Sequence, residues 1–168
     1  MKSARLVVPA VVLGLLVFAA ASRWRQFQES PERAYQAFLN REGVTGEDET
    51  MDPLIVAGDK VVPMVIEGIK DKKMKLRGYA IEFLGNGSYQ QALPVLELIL
   101  GDSTEDEYFR STALQAIYLI DSAKARRHAQ IYRKKTDYLG YIAKQVVAND
   151  PSLQFRRSYA DALMHRHY

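Results

Sequence analysis

From residue 31 the apolar positions of this chain fall three and four apart, and no segment alternates with period two for long enough to read as a strand. Ser30-Pro31-Glu32 gives an N-cap followed by proline at the first helical position, and Ala34, Tyr35, Phe38 and Leu39 continue at helical spacing, predicting a helix near residues 30–41. Residues 42–51 (EGVTGEDETM) hold two glycines, three consecutive acids and almost nothing apolar, so they read as a linker. Asp52-Pro53 restarts a helix.

Beyond that point the pattern repeats. Val62-Pro63-Met64-Val65 returns as Leu93-Pro94-Val95-Leu96, and at the same offset Ile69-Lys70-Asp71 returns as Leu100-Gly101-Asp102. Leu76-Arg77-Gly78-Tyr79-Ala80 returns as Phe109-Arg110-Ser111-Thr112-Ala113, at an offset only slightly longer. A period of roughly 30 residues belongs to arrays of stacked supersecondary units. A weaker third copy starts at Leu139, with Ala143 at the alanine position and Gly140 where the arginine stood. Each unit is a helix, a turn (Gly58-Asp59, Gly85-Asn86, Ile120-Asp121) and a second helix, with proline near its start in the first two units. Ser88-x-x-Gln91 and Thr104-x-x-Glu107 read as capping boxes. Ala80, Ala113 and Ala143 are small enough for paired helices to approach closely. The fold class predicted is all-α, an α-solenoid of antiparallel helical hairpins, about four of them over residues 52–168. A hairpin cannot bury its apolar face alone, whereas a stack of them buries a continuous core and offers a broad concave surface to a partner. The loss of the Leu-Pro pattern and the Gly140 replacement mark the last unit as a terminal cap.

These residues carry a family resemblance. Leu-Arg-x-x-Ala-Ile-x-x-Leu-Gly, a turn, then Ala-Leu-Pro-x-Leu resembles HEAT repeats, in particular the HEAT-like type named after phycobilisome lyases. The likeness covers residues 52–121 well and 122–168 loosely. It implies that Asp71 and Asp102 match an acid at the repeat junction, that Arg77 and Arg110 match the arginine of the following helix, and that the four form a structural ladder between neighbouring repeats. Fold alone licenses no chemistry, so the name gives only one enzymatic alternative, a small lyase-like or chromophore-handling factor.

The first residues have a different pattern. After Lys2 and Arg5, the stretch Leu6–Ser22 runs without a charge and stops at Arg23. Its length is at the short limit for a membrane-spanning helix. A secretory signal shares the layout, and Ala19, Ala20 and Ala21 offer a cleavage site before Ser22. Arg23, Trp24 and Arg25 favour the uncleaved anchor, as a basic, aromatic collar at the headgroups. The organisation expected is an anchor or signal segment over residues 1–25, a helix and acidic linker over 26–51, and a HEAT-like repeat domain over 52–168. An amino-terminal anchor of this kind leaves its amino end in the cytoplasm, which puts the domain in the periplasm of a bacterial cell, at the inner membrane. With cleavage the product is an exported soluble protein.

Charge adds one feature. The net charge of +3 is the balance of a basic start, a middle with 9 Lys/Arg against 16 Asp/Glu over residues 26–120, and an end with 10 against 4 over residues 121–168. In that end Arg126, Arg127, Arg133, Lys134 and Lys135 cluster, with Arg156 and Arg157 further on. The seven-residue steps from Arg126 to Arg133 and from Arg127 to Lys134 predict one helical face, suited to an acidic protein or to anionic lipid headgroups. Nucleic acid is a poorer match for a tethered domain.

The chemistry that could make an enzyme is sparse. The chain has no cysteine, which removes disulfides, thiolate nucleophiles and cysteine-held zinc. Its three histidines are His128, His165 and His167, and the last two, being two apart, diverge on a helix. No His-Glu pair, phosphate-binding loop or nucleophile elbow occurs. The reading is a non-catalytic scaffold without cofactor or metal, binding a partner protein or serving as a subunit of a membrane complex. Arginine and tyrosine, the residues that most often anchor interfaces, are plentiful.

Overall fold

The computed structural model describes residues 22–41 and 49–155. Among these there are helices and turns and no strand. Residues 22–29 are helical. They are followed by α1 (Pro31–Leu39), α2 (Asp52–Ala57), α3 (Val62–Gly68), α4 (Arg77–Asn86), α5 (Leu93–Gly101), α6 (Glu107–Ile120), α7 (Ser122–Tyr132) and α8 (Tyr138–Ala148). Short 3-10 turns join α2 to α3 (Gly58–Val61), precede α5 (Gln90–Ala92) and follow α8 (Pro151–Leu153).

The helix starts follow local chemistry. Ser30 caps α1, its hydroxyl accepting from Arg33 N at 3.3 Å. Proline opens α1, α2, α3 and α5, where its missing N–H would have no partner anyway. Asp106, Asp121 and Asp137 cap α6, α7 and α8, each carboxylate accepting a backbone N–H two or three residues on. Gly58 ends α2 at φ 63°, a conformation that an L side chain would strain.

Helices α4, α6 and α8 lie side by side, α6 packing on both neighbours, and each of the paired helices α5 and α7 also packs on α6. Ala80, Ala113 and Ala143 are fully buried along this row. The polar contacts that cross between units join residues about thirty positions apart: Lys72 to Asp102, Arg77 to Glu105, Gln90 to Ile120, Glu97 to His128 and Tyr118 to Asn149. One buried cluster runs from Phe27, Ala34 and Phe38 through α2–α8 to Leu153.

Several local expectations are corrected. Ser88 is not a cap: it takes φ 51° and its hydroxyl reaches Leu119 O, while α5 starts only after the 3-10 turn at Gln90–Ala92. Thr104 is not a cap either, since its Oγ1 bonds Asp102 and the cap of α6 is Asp106. Glu107, read as the partner in that box, turns away from its own helix, and its Oε1 accepts from Tyr138 N and Leu139 N at the start of α8. Gly85-Asn86 is the last turn of α4, not a loop. A Cβ at Gly85 would lie 2.8 Å from Ala116 Cα, so glycine there permits α4 and α6 to touch. Within the segment read as a linker, residues 42–48 lie outside the described residues, but Thr50 and Met51 are buried. Trp24 of the expected collar is partly buried against the core.

The two repeat arginines do matching work. Arg77 Nε donates to Ile69 O at 2.7 Å and Arg110 Nε to Leu100 O at 3.0 Å. These carbonyls end α3 and α5, where no intrahelical N–H is available, and they occupy equivalent places in the repeat. Each guanidinium also lies over a ring of a later helix, Arg77 over Phe109 of α6 at 5.0 Å and Arg110 over Tyr132 of α7 at 5.4 Å. Arg77 adds an ion pair with Glu105 at 2.7 Å, the two side chains 2% and 4% exposed. Asp102 bonds Thr104 N and pairs with Lys72 at 2.6 Å, and these donors hold its carboxyl well below the usual carboxylate range. Asp71 closes the equivalent turn locally, accepting from Lys73 N. Gly140 replaces the arginine in the last unit because a Cβ there would meet Lys135 O at 2.2 Å.

A buried pair of this kind sets a clear expectation. Glu105→Gln and Arg77→Met each leave one partner buried and uncompensated, so each should cost about 3–5 kcal/mol in urea unfolding. The double variant should recover part of that loss, and strict additivity in the double-mutant cycle would refute the coupling.

Candidate functional site

Two surfaces stand out, one aromatic and one basic. The first is a cleft of about 480 Å³ over the α4–α6–α8 row. Tyr79 and Glu82 of α4, Tyr108 and Phe109 of α6, and Tyr138 of α8 line it, with Phe155 at one end. Tyr108 and Tyr138 remain 49% and 48% exposed. The Tyr108 and Phe109 rings meet edge-on at 5.4 Å, and Tyr138 stacks on Tyr141 at 6.1 Å. Gly78 makes the arrangement possible, since a Cβ there would press on the Tyr108 hydroxyl at 2.9 Å. Burial raises the Tyr108 phenol above its ordinary range, and the charge of Glu82 adds to the effect. This cleft is not among the sequence-predicted sites. Tyr108 and Tyr138 precede the matching residues Phe109 and Leu139 of the repeat, but Tyr79 aligns with Thr112, so the repeat pattern does not mark the three as a set.

The basic cluster is partly divided by the fold. Helix α7 ends at Tyr132, so Arg133, Lys134 and Lys135 lie beyond it, and the heptad argument for a single helical face fails there. Arg126 donates to Asn149 Oδ1 at 3.3 Å, and Lys135 pairs with Asp137 at 2.6 Å. Arg127, Arg133 and Lys134 are exposed and form no ion pair with the described residues. Lys144 of α8, which the sequence reading did not single out, joins Arg133 and Lys134 around a shallow depression of about 360 Å³ floored by Val147 and Ala148. Arg156 and Arg157 lie outside the described residues, as do His165 and His167.

Among the described residues no group of three or more His, Asp or Glu side chains is placed to hold a metal ion. His128 is held by Glu97 at 2.8 Å, alongside Lys124 at 3.3 Å, which ties α5 to α7. No helix of the described residues is long and apolar enough to cross a membrane, and the expected anchor, but for Ser22, lies outside them. Comparison with protein-family models, with curated proteins and with solved structures gives no match.

The Glu97 contact has a pH signature. The hydrogen bond from His128 lowers the Glu97 carboxyl below its ordinary value, with Lys124 assisting and partial burial opposing. A carboxylate whose folded pKa is depressed contributes stability above its unfolded value of roughly 4.3, and that contribution is lost as pH falls toward the folded value. Glu97→Gln should therefore flatten the stability profile across the acid limb, as read by thermal melts from pH 6 down to pH 3. An unchanged slope would show that the contact carries no linkage.

Proposed function

We propose that this chain is a helical-repeat scaffold of the HEAT type that grips a partner protein in its tyrosine cleft, held at a membrane by Leu6–Ser22. The observation that carries the reading is the cleft itself. Three tyrosines from three successive row helices face one groove, and two of them are half exposed although the core beneath is well packed. Large rigid rings with one polar handle each are what protein interfaces concentrate at their centres. A cleft that crosses α4, α6 and α8 suits an extended or helical segment lying across the units.

The solenoid reading rests on the matched arginine caps, on the row of buried alanines and on polar contacts that join one unit to the next at a spacing of about thirty positions. The tether rests on the uncharged run alone. With its amino end in the cytoplasm, such a tether puts the domain across the membrane, within reach of partners in the same bilayer or beside it. The scaffold then works by position, holding its partner near the membrane surface.

The tagged chain should stay with the membrane fraction through a carbonate wash and co-purify with a defined partner after gentle solubilisation. A mature protein beginning at Ser22 by mass spectrometry would replace the anchor with an export signal. In the partner assay Tyr108→Ser with Tyr138→Ser should weaken binding by at least ~2 kcal/mol, about thirtyfold. Both side chains are half exposed, so the melting temperature should hardly move. Binding that survives the double substitution would remove the cleft from the proposal.

A further inference from the structure

We propose a second interaction surface: the edge formed by the end of α7 and the outer side of α8 docks on anionic lipid headgroups. At its α7 end stands Ile131, which is 70% exposed in the last turn of that helix. Arg127 stands one turn earlier on the same face, and Arg133 and Lys134 follow the helix end. Arg133 and Lys134 then meet Lys144 over the apolar floor of Val147 and Ala148.

Three arguments select a lipid surface. The first is charge. Arg127, Arg133, Lys134 and Lys144 have no ion pair with the described residues, while the acids nearby are engaged: Glu97 with Lys124 and His128, Asp137 with Lys135 and the α8 N-terminus, and Asp150 as the cap of the following turn. A cationic edge without internal partners complements a negative surface, and a basic cluster near a bilayer gains about fivefold in partitioning for each charge it places at anionic headgroups.

The second argument is composition. Protein interfaces are rich in aromatic residues and poor in lysine at their centres. Here the aromatic residues gather in the cleft over α4, α6 and α8, Tyr141 leans back toward it by stacking on Tyr138, and Tyr132 is taken up beneath Arg110. What remains at this edge is an aliphatic side chain amid lysine and arginine. That is the pattern of an interfacial patch, in which the apolar group enters the headgroup boundary while long basic stems let their charges stay at the surface. The third is relief. The depression is shallow and its floor is two small side chains, so it offers no pocket to a protein anchor but can rest on a fluid layer. The inference does not depend on Leu6–Ser22: a tether would only raise the concentration of the edge at the bilayer.

The absence of cysteine makes the test direct. Ile131→Cys in the full-length chain carries an environment-sensitive fluorophore as the only thiol label, and Lys73→Cys at the α3–α4 junction serves as the control position. Each is combined with vesicles of phosphatidylcholine alone or with phosphatidylglycerol at 30 mol%. The label at 131 should shift to the blue with the anionic vesicles and not with the neutral ones, and the label at 73 should respond to neither. Replacing Arg133, Lys134 and Lys144 by serine should lower the anionic partition coefficient at position 131 by roughly a hundredfold, with no change in the melting temperature. Flotation of the same samples reports whether the chain reaches the vesicles by another route. A chain that floats while the label at 131 stays silent keeps its tether and overturns the edge. An equal response on neutral vesicles overturns the charge argument. A response to an acidic polypeptide such as polyglutamate, with none to anionic vesicles, assigns the edge to a protein instead and also overturns the proposal.

Discussion

A guanidinium with almost no access to water is the constraint around which this fold is arranged. Arg77 has to be neutralised and fully hydrogen-bonded where it sits, or the burial of its charge would cost more than the local packing returns. Its partners come from three places: the last carbonyl of α3, a carboxylate in the loop after α5, and the face of Phe109 on α6. One side chain thus fixes the end of one helix, the path of a loop and the position of a helix in the following unit. Arg110 repeats the capping and the ring contact one unit further on, in a more open setting and with Tyr132 as its ring. The series stops at Gly140, where the backbone of Lys135 fills the space that an arginine side chain would need to leave.

Much of this was legible in the sequence because it depends on residues a few positions apart. The N-cap at Ser30, the prolines opening α3 and α5, and the small alanines at 80, 113 and 143 each report a local constraint that the structure keeps. The paired motifs around Arg77 and Arg110 were visible for a related reason: units that each leave one orphan carbonyl at the same place must put an arginine at the same place to satisfy it.

The failures concern residues whose partners lie one unit away. Thr104-x-x-Glu107 has the form of a capping box, yet Glu107 meets donors at the start of α8, and Asp106 caps α6 in place of Thr104. Gly85 has the form of a turn, yet its task is to let Ala116 approach. The heptad spacing of the basic residues assumed a helix that continued, whereas α7 stops at Tyr132 and the chain bends toward Asp137. The tyrosine cleft was missed because its rings are adjacent only when three helices lie in a row. Helical periodicity within one segment has no means of detecting neighbours that two other helices supply.

The repeat spacing governs how the chain comes together. Its cross-unit bonds from Lys72, Arg77, Gln90, Glu97 and Tyr118 all reach residues 28 to 31 positions further on. None of these bonds requires a distant part of the chain to be in place first, so loop-closure entropy is spent in small, equal steps. Each of these contacts can then close between neighbours in the chain without waiting for a remote segment. The junction at Arg77 is the most heavily buried of these contacts, and the end beyond Gly140 lacks an arginine clasp altogether. Arginine closure is therefore uneven along the row, present at Arg77 and Arg110 and absent beyond Gly140.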